Sequence, residues 1–278
     1  MMLKTKVKQL LQEQLAVWEQ AKTNYESLNH VKTKTFDVKG LLYIVQFNPM
    51  RFTSSATIHH CKSNHDKPCF LCTANHSAEQ KGIPFKDNYT ILVNPFPIFP
   101  RHLTIPSNTH LPQLIASRFG DMLDLAQELD DFTIFYNGPK SGASAPNHFH
   151  FQAGSKGFLP IENDRTWHNA IRFESENRKH MLNCFEQIYG NLPIKSEDDE
   201  PMMNIITWYE AGQWITHVFP RKKHRPDCFF AEDDTHMIIT PGAVDMGGVL
   251  ITPLEKDFEK ITAEMIHNVL DEVCEIRL

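Results

Sequence analysis

NGPKSGASAPNHFHFQ, Asn137 to Gln152, is the stretch that decides how this 278-residue chain folds. Its last five residues, HFHFQ (His148–Gln152), alternate polar and aromatic with the period of a β-strand that buries one face. In such a strand His148, His150 and Gln152 point to one side, Phe149 and Phe151 to the other. The rings anchor the strand in a core, and the imidazoles and the amide line a surface. Ahead of the strand lies a loop of small residues with Gly138, Lys140, Ser141, Gly142 and Ser144. Small residues let backbone N–H groups close on an anion, while hydroxyls and an ammonium add donors. The Gly-Lys-Ser/Thr order of a P-loop is missing. On spacing alone, a glycine turn followed by an amphipathic strand with incidental histidines explains the stretch equally well.

Working outward, FTIFY (Phe132–Tyr136), YTILV (Tyr89–Val93), HLTIP (His102–Pro106) and GLLYIVQF (Gly40–Phe47) read as strands. Leu3, Val7, Leu10, Leu11, Leu15 and Trp18 recur at helical spacing, as do Leu111 to Leu129. A helix is predicted around Trp167–Tyr189. GNLPIKSEDDEP (190–201) reads as a linker whose strip SEDDE (Ser196–Glu200) is exposed. Strands are predicted near Asn204–Tyr209, Gln213–Phe219, His236–Thr240 and Gly248–Thr252. A last helix carries Phe258, Ile261, Met265, Val269 and Val273. Strands come in groups rather than alternating with helices, which excludes a doubly wound sheet. The expectation is α+β: an N-terminal helix (1–35) and two similar halves (36–190 and 191–278), each an antiparallel sheet flanked by helices.

Apolar residues at 41% and charged residues at 22% are the balance of an ordinary globular chain. A formal net charge of −6 argues against a nucleic-acid partner, so any phosphate must be met by locally concentrated positive charge. No run approaches the ~20 apolar residues that span a bilayer. The start of the chain shows neither an apolar signal core nor a cleavage site. The six cysteines are too scattered for a disulfide framework, so a cytoplasmic setting is expected.

Cys69 and Cys72 form C-x-x-C, a two-ligand clip for zinc. Further ligands are available among Cys61, His65, His76, His110 and His148. A redox role lacks the surrounding βαβ pattern, and two buried cysteines without a metal remain an alternative. PRKKHRP (Pro220–Pro226) is the densest basic run, either a solvated loop or a landing place for phosphate. Arg51 has the same two readings.

H-x-H-x-Q behind a Gly/Ser loop resembles the transferase branch of the histidine-triad (HIT) superfamily. That branch includes galactose-1-phosphate uridylyltransferase, diadenosine tetraphosphate phosphorylase and GDP-L-galactose (GDP-hexose) phosphorylase, and the resemblance is strongest to the last. It is carried by Asn147–Glu162, Tyr43–Arg51, Pro241–Phe258 and the turn and strand Asn94–His110, within roughly Phe36 to Phe258. WITHVFP (Trp214–Pro220) resembles a second-half strand of the uridylyltransferases, with only His217 of their histidine set.

The resemblance implies two HIT-like halves and a nucleotidyltransferase that cleaves a nucleoside diphosphate hexose, guanine favoured, with phosphate or a sugar phosphate. His150 would attack the α-phosphate and carry the nucleotidyl group, with Gln152 where hydrolases of the superfamily have a third histidine. The expected substrate-binding set is Arg51, Asn94 (ribose), Asn137, Lys140 and Ser144 (phosphate loop). Cys69, Cys72, His110 and His148 would hold a structural zinc, and the resemblance leaves room for a homodimer. Other enzymatic readings are a dinucleoside polyphosphate phosphorylase and a hexose-1-phosphate uridylyltransferase. Readings from other classes are a nucleotide-binding or regulatory protein on the same fold, and a zinc-stabilised interaction module.

Overall fold

The computed structural model describes residues 2–50, 68–167 and 169–275. Arg51, Cys61 and His65 lie outside them. The chain opens with helices α1 (Leu3–Val17) and α2 (Glu19–Ser27) and the hairpin β1 (Lys32–Val38) and β2 (Leu41–Phe47). There follow β3 (Gly82–Phe85), β4 (Tyr89–Val93), β5 (His102–Pro106), helix α3 (Phe119–Glu128), β6 (Phe132–Asn137) and β7 (His150–Ser155). Then come β8 (Ile171–Ser175), helix α4 (Arg178–Asn191), β9 (Met203–Glu210) and β10 (Gln213–Pro220). Helix α5 (Ala243–Met246), β11 (Val249–Thr252), α6 (Glu255–Lys260) and α7 (Ala263–Val273) complete the strands and α-helices among the described residues.

Strands β3 to β10 form one eight-stranded sheet in the order β3-β4-β5-β7-β6-β9-β10-β8. Every pairing in it is antiparallel. β9 and β10 extend this sheet from beyond the 190–201 segment. β1, β2 and β11 make a second, three-stranded sheet in which β11 runs parallel to β2. The α+β class expected from the grouping of strands is the class found.

Alternation along the strands gives the large sheet two apolar faces. Ile91, Ile105, Ile134, Phe149, Phe151 and Ile205 pack under α1, α3 and α4, through Leu10, Met122, Leu125 and Phe185. Phe135, Ile206, Trp208, Ile215 and Phe219 face the small sheet and α7, against Tyr43, Val45, Leu250 and Leu270. That second face also carries His102, Thr104, His150 and Gln152, because cross-strand pairing sets Thr104 opposite Gln152 and Pro106 opposite His150. Gly154 on the same face must lack a side chain: a Cβ there would lie 2.4 Å from the ring of Phe99.

Several expected elements shift. The helix predicted over Leu111–Leu129 begins only at Phe119. Ahead of it Pro112 has no N–H, and the backbone serves the segment entering β7 instead, Leu111 O accepting from Phe149 N at 2.6 Å. Trp167–Tyr189 is not one helix but β8 followed by α4, which starts where Asn177 Oδ1 accepts from His180 N. His236–Thr240 is buried at Met237 and Ile239 yet forms no strand. The last helix is broken at Ile261, and Thr262 caps α7 by accepting from Met265 N. The ladder of HFHFQ begins at His150, while His148 sits in the preceding turn, its N–H on Ala145 O at 3.1 Å. SEDDE is not simply exposed: the Asp198 side chain is 4% exposed and Glu200 2%. No helix among the described residues is long and apolar enough to cross a membrane.

Candidate active site

His150 opens β7 and is buried, 2% exposed. Its Nδ1–H donates to the carbonyl of His148 at 2.9 Å, which fixes the tautomer and leaves Nε2 unprotonated. Ser144 Oγ stands 3.4 Å from Nε2. Burial pushes the His150 imidazole down to about 4, so it is neutral near pH 7. The ring is further located through its backbone. Gln113 accepts from His150 N at 2.7 Å and donates from Nε2 to both His150 O (2.9 Å) and Asn137 O (3.0 Å). The β6–β7 ladder ends at Phe135 and Gln152, and beyond it the Gln113 side chain takes the place of a peptide group between the strands.

Gln152 lies two residues on, on the same face. Ile98 N–H donates to His102 Nδ1 at 3.2 Å, so His102 Nε2–H donates to Gln152 Oε1 at 3.0 Å. That bond orients the Gln152 amide with its NH2 group as the free end. Asn94 joins through Thr104, its Nδ2 donating to Thr104 Oγ1 at 3.0 Å and its Oδ1 accepting from Phe96 N. Asn137 Oδ1 accepts from Asn204 Nδ2 and from Ala243 N, each at 2.7 Å, which likewise leaves its NH2 group as the end outside these bonds. The structure thus gathers His150, Gln152, Asn94, Asn137 and Ser144 around one polar patch. Lys140 stands apart: its side chain is 51% exposed and its ammonium pairs with Asp198. His217 is buried in β10, stacked on Trp208 at 5.3 Å, and burial pushes it down to about 3.

Cys69, Cys72, His110 and His148 place one donor atom each within 4.8 Å of one another. Cys69 Sγ to His148 Nδ1 is 3.3 Å, Cys72 Sγ to His148 Nδ1 3.6 Å and Cys72 Sγ to His110 Nδ1 3.2 Å. Zinc–sulfur and zinc–nitrogen bonds of about 2.3 and 2.0 Å at a tetrahedral angle put S and N about 3.5 Å apart. His148 Nε2–H donates to Ser107 O at 2.8 Å, so Nδ1 turns an unprotonated lone pair toward the sulfurs. The donor set fits a four-coordinate metal ion. His76 is not in the cluster.

Sequence reasoning missed the residues that hold this patch. Gln113, His102, Glu200, Asn204 and Arg221 are all buried polar groups. Arg221 belongs to the basic run read as either a solvated loop or a landing place for phosphate, and its 3% exposure fits neither. Lys223 of the same run is held by Asp227 and Glu272. The one usable signal was a polar residue inside an otherwise apolar stretch, as at Gln113 in LPQLI and Asn204 in MMNIITW.

An antiparallel sheet backed by helices, with a histidine at the head of a central strand and a small-residue loop before it, is a fold this chain shares with solved structures. Yeast Ap4A phosphorylase Apa2 has this fold. Its crystal structure in complex with AMP matches at a TM-score of 0.66 and 14% identity, covering 100% of this chain and 99% of that chain. The complex with Ap4A matches at 0.65 and 15% identity, covering 100% of both. No curated protein matches by sequence. The chain belongs to the family described as Domain of unknown function (DUF4922), which matches residues 10–155.

Proposed function

We propose that the chain is a nucleotidyltransferase working through a covalent histidine–nucleotide intermediate. One observation carries this reading: His150 is buried and neutral, its Nδ1–H committed to the His148 carbonyl and its Nε2 open toward Ser144. The Nε2 lone pair attacks the α-phosphorus, and the P–O bond to the leaving sugar phosphate or polyphosphate breaks with its electrons on that oxygen. Phosphate or a sugar phosphate then displaces His150 and takes the nucleotidyl group. The amide NH2 groups of Gln152 and Asn137 donate to the phosphate oxygens, with Ser144 marking the approach and Asn94 at the ribose. A neutral Gln152 neither activates water nor supplies a proton, which favours transfer over hydrolysis. Arg51 and Lys140 complete the substrate set proposed from the sequence. Lys140 reaches an anion only by giving up Asp198.

Two substrate classes fit. The resemblance of Asn147–Glu162 to the GDP-hexose phosphorylases supports a nucleoside diphosphate hexose, and the full-length match to yeast Ap4A phosphorylase supports a dinucleoside polyphosphate. Zinc in the Cys69–Cys72–His110–His148 set is proposed as structural, since four protein ligands leave no open position.

The test is incubation with α-labelled GDP-hexoses, ADP-hexoses, UDP-hexoses and dinucleoside tetraphosphates, with and without phosphate. Acid-labile label on the wild type, absent from a folded His150→Ala that still binds nucleotide, is the expected result. Robust phosphate-dependent turnover by His150→Ala would sink the covalent mechanism.

A further inference from the structure

The basic run Arg221–Arg225 begins with a residue that is neither solvated nor paired to an acid. Arg221 Nε donates to Val273 O at 3.1 Å. One terminal nitrogen donates to Asn204 Oδ1 at 2.5 Å and Pro241 O at 3.0 Å, the other to Lys223 O at 3.1 Å and His224 O at 3.2 Å. Every guanidinium donor meets a neutral oxygen. Asp245, whose charge acts on Arg221, spends its own oxygens on Gly242 N–H and Ile251 N–H. A buried cation held only by neutral acceptors is expensive. Burial lowers the guanidinium to about 10, still charged at neutral pH.

Asn204 conducts that charge toward the site. Its Oδ1 accepts from Arg221, so the amide cannot flip, and Nδ2 donates to Asn137 Oδ1 at 2.7 Å and Ser141 O at 2.6 Å. Asn137 Oδ1 also takes the Ala243 N–H. With its oxygen saturated, Asn137 presents only its NH2 group, next to the strand position of His150 to which Gln113 ties it.

We propose that Arg221 and Asn204 are positioning residues: they lock Asn137 as a hydrogen-bond donor and polarise it toward the oxygens of an α-phosphate. The inference rests on the nucleotidyl-transfer reading. A flipped Asn137 would set a carbonyl oxygen against phosphate. A cation at the head of a hydrogen-bond chain strengthens each donor downstream. Donors preorganised in this way act where negative charge develops in the transition state.

Asn204→Asp keeps an acceptor for Arg221 but removes both amide donors, and Asn204→Ser removes them without adding charge. Each is compared with wild type and His150→Ala for rate of covalent labelling. Affinities for AMP, GMP, adenosine and guanosine are measured by calorimetry. Both Asn204 variants are expected to lose about 100-fold in labelling rate, the scale of one lost oxyanion donor. They should bind the monophosphates more weakly while keeping nucleoside affinity, a split that general loosening of the scaffold would not produce. Arg221→Gln should move in the same direction. Wild-type labelling by a folded Asn204 variant overturns the inference and leaves nucleotidyl transfer standing. A parallel loss of nucleoside and nucleotide binding overturns it too. A wild type that takes no more label than His150→Ala overturns the nucleotidyl-transfer reading, and the inference with it.

Discussion

Glu200 shows how much a single buried atom decides. Its carboxyl is buried, accepting from Ile115 N at 2.9 Å and contacting the Tyr136 hydroxyl at the end of β6. That hydroxyl has one proton, and it also faces Gln113 O at 2.8 Å. If the proton serves Gln113 O, the contact with Glu200 needs a hydrogen on the carboxyl. Burial pushes Glu200 from the usual 4.5 up to about 7, in agreement with that count. The native state therefore holds a proton that the unfolded chain releases above its lower pKa. Stability from this group is full below the unfolded value and is lost as pH rises through 7, by about 3 kcal/mol in all. Glu200→Gln supplies a permanent N–H to Tyr136 and still accepts from Ile115. Its melting temperature is expected to gain on wild type between about pH 5 and pH 8. A constant difference across that range would show that Glu200 is ionised throughout.

At the scale of elements, the loop 138–147 and the segment 241–243 close on each other through two glycines. Gly142 has φ of +95°, and a Cβ on it would lie 3.1 Å from Gly242 Cα. Alanine at 142 is expected to cost about 1–3 kcal/mol through the left-handed backbone alone. Because Ser141 and Ser144 ride on the same loop, labelling by nucleotide should fall as well. Gly40 provides the control, with φ of +84° and nothing within 4 Å of its missing Cβ. Gly40→Ala should lower the melting temperature but leave labelling alone, and equal effects of the two on labelling would refute the loop's role. The sequence reveals such a loop by composition, but not what it leans on, because Gly142 and Gly242 are a hundred residues apart. β4 and β5 are legible to the residue, since alternation and proline-rich turns bracket them. The segment Leu111–Ile115 is misread because apolar residues at 3–4 spacing also arise where a chain covers a strand without coiling. β8 is misread for the opposite reason: Arg172 and Glu174 alternate with half-buried Ile171 and Phe173 too briefly to outweigh the helix that follows.

For the whole molecule, the sequence makes the strand bearing His150 and the metal-ligand types visible, because both are local patterns. It hides the joining of distant segments into one network, such as Arg221 to Asn204 to Asn137 or Gln113 to His150, because nothing in spacing records it. The metal cluster is where these two kinds of information meet. Cys69 and Cys72 come from the segment before β3, His110 follows β5, and His148 precedes β7. The carbonyl of His148 is the acceptor that fixes His150 Nδ1, so an ion in the cluster would hold by its ring the residue whose backbone orients the proposed nucleophile. A metal that binds the native state and not the unfolded chain stabilises in proportion to the logarithm of its excess over Kd. Removing it with a chelator is therefore expected to lower the melting temperature by several degrees. The labelling rate should fall while nucleotide affinity changes less, because the ring is misaimed and the patch remains. Restoring zinc should recover both, and Cys69→Ser should resemble the chelated wild type and not respond to zinc. Purified protein with one zinc per chain agrees with this; metal-free protein that melts and labels like the zinc-loaded form would remove the ion from the account and leave Ser107 and the turn Ala145–His148 to hold the histidine alone.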